Sequence, residues 1–161
     1  MLRLYSDGGF RPKYKIGAYG YVIVKGNGVV HTQAKAYDAT GQRKVTNNTM
    51  ELKGLIEGYK DLLNRDAGNE DILYVILDSQ YVQLGITEWS KNWIQNRWRN
   101  SSNKLVKNVN LWQKVTRLHK KIEEKFKIVH VQWVESHGTN EYNNLADKLC
   151  NDAMDDFIIN G

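Results

Sequence analysis

The first part of the chain consists of short apolar runs separated by glycine-containing turns. Leu2–Ser6, Ala18–Lys25 and Val29–Ala36 are the apolar runs, and Gly8-Gly9 and Gly26-Asn27-Gly28 lie between them. Runs of this length between turn residues are typical of β-strands. The pattern predicts three antiparallel strands, with Gly8-Gly9 in the first turn.

The pattern then changes to the three-and-four spacing of a helix. The apolar stripe that begins after Asn47 consists of Leu52, Leu55, Ile56, Tyr59, Leu62 and Leu63. This spacing predicts a helix that lies on a sheet and ends near Asp66. The next segment, Ile72–Leu77, is continuously apolar, as expected of a parallel strand that is buried on both faces.

The remainder of the chain alternates helical and strand patterns. Ser79–Ile86 predicts a short helix, Asn110–Phe126 a longer helix, Ile128–Val134 a half-exposed strand and Asn140–Asp155 a final helix. Antiparallel strands followed by strand–helix alternation indicate an α/β fold, with a mixed sheet and helices on both faces.

Composition and charge narrow the class of protein. A chain of 161 residues fits one domain, and a net charge of +5 favours a polyanionic partner such as nucleic acid. Cys150 is the only cysteine, so the chain cannot form an internal disulfide, and the reducing cytoplasm is the expected location. Residues 1–7 lack the apolar segment of a signal peptide, and no run is long enough to span a membrane.

Four acids mark the ends of separate predicted elements: Asp7, Glu51, Asp78 and Asp147. If the strands before Asp7 and Asp78 are adjacent and parallel, both carboxylates emerge at the same edge of the sheet. Glu51 and Asp147, on helices, can approach that edge. Mg²⁺ prefers oxygen ligands, so the four acids predict a site for two divalent ions, with Mn²⁺ as the other candidate metal.

Each acid taken alone also has an ordinary structural explanation. Asp7 before Gly8 is a common turn residue, and Asp78 before a helix is a common N-cap. Glu51 is spaced to complete a capping box with Asn48, and Asp147 fits a solvated helix position. Several neighbouring buried carboxylates would, however, oppose folding in their charged forms unless cations were present.

His137 follows the last predicted strand, in Ser136-His137-Gly138. A histidine beside a metal site can transfer a proton near neutral pH or assist product release. The alternative is a loop histidine with a local hydrogen bond. Cys150 lies on an apolar helical stripe, so we expect it in the core.

In sequence order, these motifs resemble the type 1 ribonuclease H family, in particular its bacterial-type members. The resemblance covers nearly the whole chain and rests on Asp7-Gly8, Thr46-Asn47-Asn48-x-Met50-Glu51-Leu52, Asp78-Ser79-Gln80-Tyr81-Val82, Gly85-Ile86-Thr87, Lys107-Asn108-Val109-x-Leu111-Trp112, Trp133-Val134-x-x-His137 and Asp147.

The resemblance implies a five-stranded mixed sheet and Mg²⁺-dependent cleavage of the RNA strand of RNA–DNA hybrids, leaving 3′-hydroxyl and 5′-phosphate ends. By that resemblance, Asp7, Glu51, Asp78 and Asp147 are metal ligands and His137 assists turnover. Asn47, Asn48 and Gln80 match positions that touch the minor groove, where the 2′-hydroxyls of an A-form-like duplex are accessible. Thr46 matches a position that holds a DNA-strand phosphate. We expect a monomer.

Residues 9–17 depart from the family pattern, because Gly9-Phe10-Arg11-Pro12-Lys13-Tyr14-Lys15-Ile16-Gly17 replaces its usual small and turn-forming residues. The usual asparagine contact therefore has no counterpart. Arg11, Lys13 and Lys15 are candidates to hold phosphate in its place.

A basic segment follows the short helix. Residues 89–122 contain no acid and nine cations, which are Lys91, Arg97, Arg99, Lys104, Lys107, Lys114, Arg117, Lys120 and Lys121. The part at about 89–109 resembles the family's basic protrusion along the DNA strand, with Lys91, Arg97 and Arg99 as substrate-binding candidates. Its tryptophans are expected to be packing anchors. The cations exceed what solubility alone requires, because protein surfaces normally mix charges of both signs.

Two other functions remain open. Another metal nuclease or strand-transfer enzyme of this fold would share the acids, but would not be expected to carry Asn47-Asn48 and Gln80. A non-catalytic nucleic-acid-binding module would be expected to have lost some of the acids, whereas all four are present.

Overall fold

The computed structural model describes residues 1–42 and 44–161 and contains a five-stranded mixed sheet, as expected. The strands are β1 (Leu2–Arg11), β2 (Ile16–Lys25), β3 (Gly28–Asp38), β4 (Ile72–Leu77) and β5 (Ile128–Trp133). Their order across the sheet is β3-β2-β1-β4-β5. The first three strands pair antiparallel, whereas β4 pairs parallel with both β1 and β5.

Helices follow the strands and cover both faces of the sheet. They are α1 (Asn47–Asn64), α2 (Gln80–Leu84), α3 (Ser90–Gln95), α4 (Val109–Lys125) and α5 (Glu141–Asn160), and a π-helical turn, Gly85–Trp89, joins α2 to α3. Alternate residues of β1 face opposite layers, as the period of a strand requires. Leu4 packs in the cluster that includes α1 and α4, whereas Tyr5 packs in the cluster that includes α5.

The first strand is longer than its sequence predicts, and Gly8-Gly9 is not a turn. β1 continues to Arg11, and the reversal occurs at residues 12–15. Gly8 is needed for packing instead: a Cβ there would lie 2.3 Å from the backbone nitrogen of Glu51. Gly8 therefore allows close packing of α1 on β1 and does not reverse the chain.

Two helical segments also extend beyond their predicted ends. The short helix expected over Ser79–Ile86 continues through the π-helical turn into α3, and α5 continues to Asn160 rather than Asp155. A π-turn retains backbone hydrogen bonds while inserting a residue, so it does not interrupt the helical run. The predicted bounds of α1, β4, α4 and β5 agree with the structure to within two residues.

The tryptophans between α2 and α4 are packing anchors, as expected. Trp112 is fully buried, and its ring centroid lies 5.1 Å from that of Trp93. Trp93 in turn lies near Trp89 and Trp98, with centroid distances of 5.9 and 6.3 Å. Cys150 is buried in the core, again as expected. Among the described helices, none is both long and apolar enough to cross a membrane.

Candidate active site

Sheet register places two of the four acids side by side. The parallel pairing of β1 with β4 ends at Ser6 and Leu77, so the next residues, Asp7 and Asp78, leave the paired region together. The sequence predicted Asp7 at the end of the first strand, whereas in the structure it lies within β1. The parallel pairing with β4 nevertheless stops directly before it. The two carboxylates therefore meet at the carboxyl end of β4, where open α/β sheets bind ligands.

Helix α1 brings Glu51 to the same edge. Its N-terminus is capped by Thr46, whose hydroxyl accepts a hydrogen bond from the backbone of Thr49 in a capping box. The alternative capping role for Glu51 is therefore wrong: its side chain is buried instead, and Gly8 allows α1 to approach β1 closely. Asp78 is not an N-cap either, because Ser79 caps α2.

Asp147 lies on α5 and borders the same cleft, although it is not within the tight group formed by the other three acids. Its Oδ2 atom lies 3.6 Å from Nδ1 of His137, whose side chain is 74% exposed. His137 has a left-handed φ of 56°, and the carbonyl of Gly138 accepts a 3.0 Å hydrogen bond from Nδ2 of Asn144. The imidazole thus lies beside Asp147 in the lining of the cleft.

Burial and, after it, mutual repulsion disfavour the charged forms of the buried acids in the absence of cations. Burial, followed by the carboxylate of Asp78, raises the pKa of Asp7 to about 8. Burial also raises the pKa of Glu51 well above its usual range, and Asp7 and Asp78 add to the increase. A bound cation would favour the charged form of each acid and so reverse these shifts.

The donor set fits a divalent metal. Asp7, Glu51 and Asp78 each offer a carboxylate oxygen, and these oxygens lie within 4.8 Å of one another. An all-oxygen set of this kind suits Mg²⁺ or Mn²⁺ and is poorly suited to soft metals. The site opens into a cleft of about 480 Å³ that is also lined by His137 and Asp147.

Of the predicted substrate-binding residues at the starts of α1 and α2, one lines this cleft. Asn47 lines the cleft directly, whereas Asn48, the next residue of α1, and Gln80, the exposed first residue of α2, do not. The hydroxyl of Thr46 is used by the capping box. The nucleic-acid contacts of these four residues remain predictions.

The basic segment forms a separate surface. All nine of its cations are exposed, and within the described parts of the chain none of them forms an ion pair. Lys91 is on α3, and Arg97 and Arg99 line a cavity of about 380 Å³ in the following loop. None of the three lines the acidic cleft, so the structure separates them from the carboxylates.

Comparisons with known proteins agree with this architecture. The sequence profile of the RNase H family matches residues 1–155. A ribonuclease H of Clostridium botulinum is 40% identical over 160 residues, and the match covers 97% of both chains. The chain belongs to the RNase H family.

Solved RNase H structures share the fold. The N-terminal RNase H domain of a Mycobacterium tuberculosis protein has a TM-score of 0.67 and 25% identity, with 96% of this chain and 93% of that chain covered. LC11-RNase H1, solved in complex with an RNA/DNA hybrid, has a TM-score of 0.66 and 23% identity, with 98% and 99% covered.

This RNase H contains site residues that the sequence patterns did not single out. Arg11, which the sequence did indicate as a phosphate candidate, lines the acidic cleft and donates hydrogen bonds to Asp155 and Asn151 of α5. Its contact with phosphate stays a prediction. Asn143 approaches the carboxylate of Asp78, and Nε1 of Trp133 donates a 3.0 Å hydrogen bond to the backbone carbonyl of Asp78. The spacing of Asn143, one helical turn before Asp147, is the signal that could have indicated it.

Proposed function

We propose that this chain is an endoribonuclease that hydrolyses the RNA strand of RNA–DNA hybrids at the acidic cleft, leaving 3′-hydroxyl and 5′-phosphate ends. The observation that carries the proposal is the convergence of Asp7, Glu51 and Asp78 to within 4.8 Å, beside Asp147 and His137. Family membership supports the activity, and the hybrid bound to LC11-RNase H1 supports the substrate class.

The four carboxylates would hold two Mg²⁺ ions with the substrate phosphate, and Mn²⁺ could replace them. When bound, such a pair activates a water molecule and stabilises the leaving oxygen of an in-line displacement. Asp7, Glu51 and Asp78 fix the position of the reacting phosphate. Asp147 supplies the fourth carboxylate, from α5. His137, exposed and beside Asp147, accepts or returns a proton at Nδ1 or Nε2 during turnover.

Substrate recognition divides between two surfaces in this proposal. Asn47, Asn48 and Gln80 present amide groups to the minor groove, and Thr46 holds a DNA-strand phosphate at the start of α1, where unpaired backbone N–H groups favour anions. Lys91, Arg97 and Arg99 contact DNA-strand phosphates farther from the cleft. These contacts favour an A-form-like duplex with one ribose strand.

At the level of the whole chain, we propose one catalytic domain over residues 1–161, with a basic protrusion at about 89–109. In the structure this protrusion consists of α3 and the loop before α4. We expect the protein to act as a monomer in the cytoplasm.

The decisive experiment is cleavage of labelled RNA–DNA, RNA–RNA and DNA–DNA duplexes of one sequence, with Mg²⁺, with Mn²⁺ and with chelator. We expect cleavage of the RNA strand of the hybrid alone, only with metal, and products that carry 3′-hydroxyl and 5′-phosphate ends. Cleavage of DNA–DNA would favour another nuclease of this fold. Hybrid binding without metal-dependent cleavage would favour a binding module.

A further inference from the structure

Asn143 is a buried polar residue next to the acid cluster. It is in the first turn of α5, is only 1% exposed, and its backbone N–H donates to the N-capping side chain of Asn140. Its Nδ2 atom lies 3.4 Å from Oδ2 of Asp78. A fully buried amide is costly unless it is hydrogen-bonded. The contact with Asp78 is therefore the interaction that offsets the burial of this side chain.

The orientation of the amide is fixed by charge. Oδ1 of Asn143 is buried and has no hydrogen-bond partner among the described residues. Turning the amide over would place that oxygen against the Asp78 carboxylate, where two acceptors repel each other. Asn143 therefore leaves its own oxygen unsatisfied in order to direct an N–H group at Asp78, which is a poor arrangement for stability alone.

Asp78 is held from both its backbone and its side chain. Trp133, the last residue of β5, donates from its indole N–H to the Asp78 carbonyl, and Asn143 approaches the carboxylate from α5. Asp147 follows Asn143 by one helical turn, so the same face of α5 serves both acids. Metal affinity depends on the groups that orient a ligating carboxylate in this way, and not only on the carboxylate itself.

We propose that Asn143 is a positioning residue that holds the Asp78 carboxylate in the orientation that binds a divalent cation. This inference rests on the proposed function, because it assigns Asp78 to the metal site. Asn143 does not touch substrate or metal in this role. It restrains Oδ2 of Asp78, and so fixes the orientation of the carboxylate that lies beside Asp7 and Glu51.

The test compares Asn143→Leu with Ser6→Ala. Leucine fills a similar volume but removes both the N–H donor and the unsatisfied oxygen, so packing is largely kept. Ser6 is the matched control, because its hydroxyl is also buried and, among the described residues, forms no hydrogen bond to a candidate ligand. The Kd for Mg²⁺ alone is measured by calorimetry without substrate, and stability without metal by urea unfolding.

We expect Asn143→Leu to weaken Mg²⁺ binding by about 10–100-fold, the usual effect of removing a group that orients a metal ligand. The KM for the hybrid should remain unchanged, and Ser6→Ala should bind Mg²⁺ like the wild type. Asn143→Ala provides a second variant if the leucine variant does not fold.

A change in Mg²⁺ affinity below about tenfold, or an equal loss in Ser6→Ala, would overturn the inference. So would reduced stability with unchanged Mg²⁺ binding, since that result identifies a purely structural residue. Failure of the proposed function is a different result, because wild-type protein that binds Mg²⁺ but does not cleave the hybrid still permits the calorimetric comparison.

Discussion

At Asp7, folding without metal opposes the charged form of the carboxylate, which is the form that a metal ion would require. Its pKa of about 8 lies far above the value near 3.9 of an unfolded aspartate. Between about pH 4 and pH 8, the folded protein without metal therefore retains a proton that the unfolded chain has already released. The free energy of unfolding contributed by this group falls as pH rises through that window, and its cost is complete above pH 8.

We accordingly predict that metal-free Asp7→Asn loses less stability than the wild type between pH 5 and pH 8. One such proton changes the free energy of unfolding by up to about 1.4 kcal/mol per pH unit. Urea unfolding in chelator at several pH values measures the difference. If the two proteins followed parallel pH profiles, Asp7 would not titrate in this range.

His137 should contribute less to the rate than any of the acids. Replacing it with alanine removes the proton-transfer group but leaves the carboxylates, so we expect a decrease in kcat of about 10–100-fold. His137→Asn removes the imidazole without disturbing the loop, because asparagine tolerates the left-handed backbone of this position. It therefore distinguishes the effect of the imidazole from an effect of the loop conformation. Rates from pH 6 to pH 9 that matched the wild type in both variants would show that His137 is an ordinary loop residue.

Arg97 and Trp98 are consecutive non-glycine residues with left-handed backbone, with φ values of 56° and 64°. For an L-residue with a Cβ this conformation costs roughly 1–2 kcal/mol. We expect Arg97→Gly to raise the free energy of unfolding by about 1 kcal/mol, offset partly by the entropy of glycine in the unfolded chain. Arg97→Ala removes the same charge without relieving the backbone, so denaturant unfolding should show no such gain for it.

At the scale of elements, two close approaches determine how the helices reach the acidic cleft. Gly8 lets α1 approach β1, and Gly20 lets α5 approach β2, since a Cβ at Gly20 would lie 2.7 Å from the carbonyl oxygen of Ala146. The first approach positions Glu51, and the second positions Asp147. The arrangement of the acids around the cleft therefore depends on these two close backbone contacts.

The basic segment should control affinity rather than chemistry, because it lies outside the cleft. Removing one phosphate interaction flattens the dependence of log affinity on log salt by roughly 0.7–0.9. Alanine at Lys91, Arg97 and Arg99 together should reduce the salt slope by up to about 2–3 and raise the KM. The kcat should remain nearly unchanged, as expected when ground state and transition state lose the same binding energy.

A matched triple variant tests whether position matters more than charge. Lys25, Lys60 and Lys127 are exposed cations away from the acidic edge, and Lys25 pairs with Leu2 at the opposite end of β1. Their replacement by alanine lowers the net charge equally and should leave the salt slope almost unaltered. Equal slopes in the two triple variants would mean that general charge attracts the hybrid, whereas a collapse of kcat in the first would mean that the segment positions the scissile strand.

At the scale of the whole molecule, periodicity predicted the elements well, but it missed the ends of β1 and of two helical segments and the contacts between elements. Ile72–Leu77 is apolar on both faces, and such a run has few alternatives to a central strand. Gly8-Gly9 was misassigned to a turn because local sequence does not reveal the helix that packs against it. Asn143 was missed for a similar reason: its partner Asp78 is distant in sequence, and only the folded chain brings them together.

The separation of the acidic cleft from the basic segment leads to the final prediction, which concerns Asp78→Asn. This change removes one carboxylate of the tight oxygen group but alters no cation of the binding surface. Loss of a group that merely orients a ligand costs roughly 10–100-fold, so loss of the ligand itself should cost more and leave almost no cleavage. Hybrid binding, measured by fluorescence anisotropy in chelator, should remain close to wild type.

Combining Asp78→Asn with the basic-segment triple variant extends that test to the whole molecule. Changes at distant sites without shared partners usually add within about 0.5 kcal/mol. The combined variant should therefore bind hybrid as weakly as the triple variant alone, while cleavage remains absent. Asp78→Asn activity above about a tenth of the wild-type rate would remove Asp78 from the ligand set. Binding in the combined variant much weaker than in the triple variant would show that the cleft and the basic segment do not act independently.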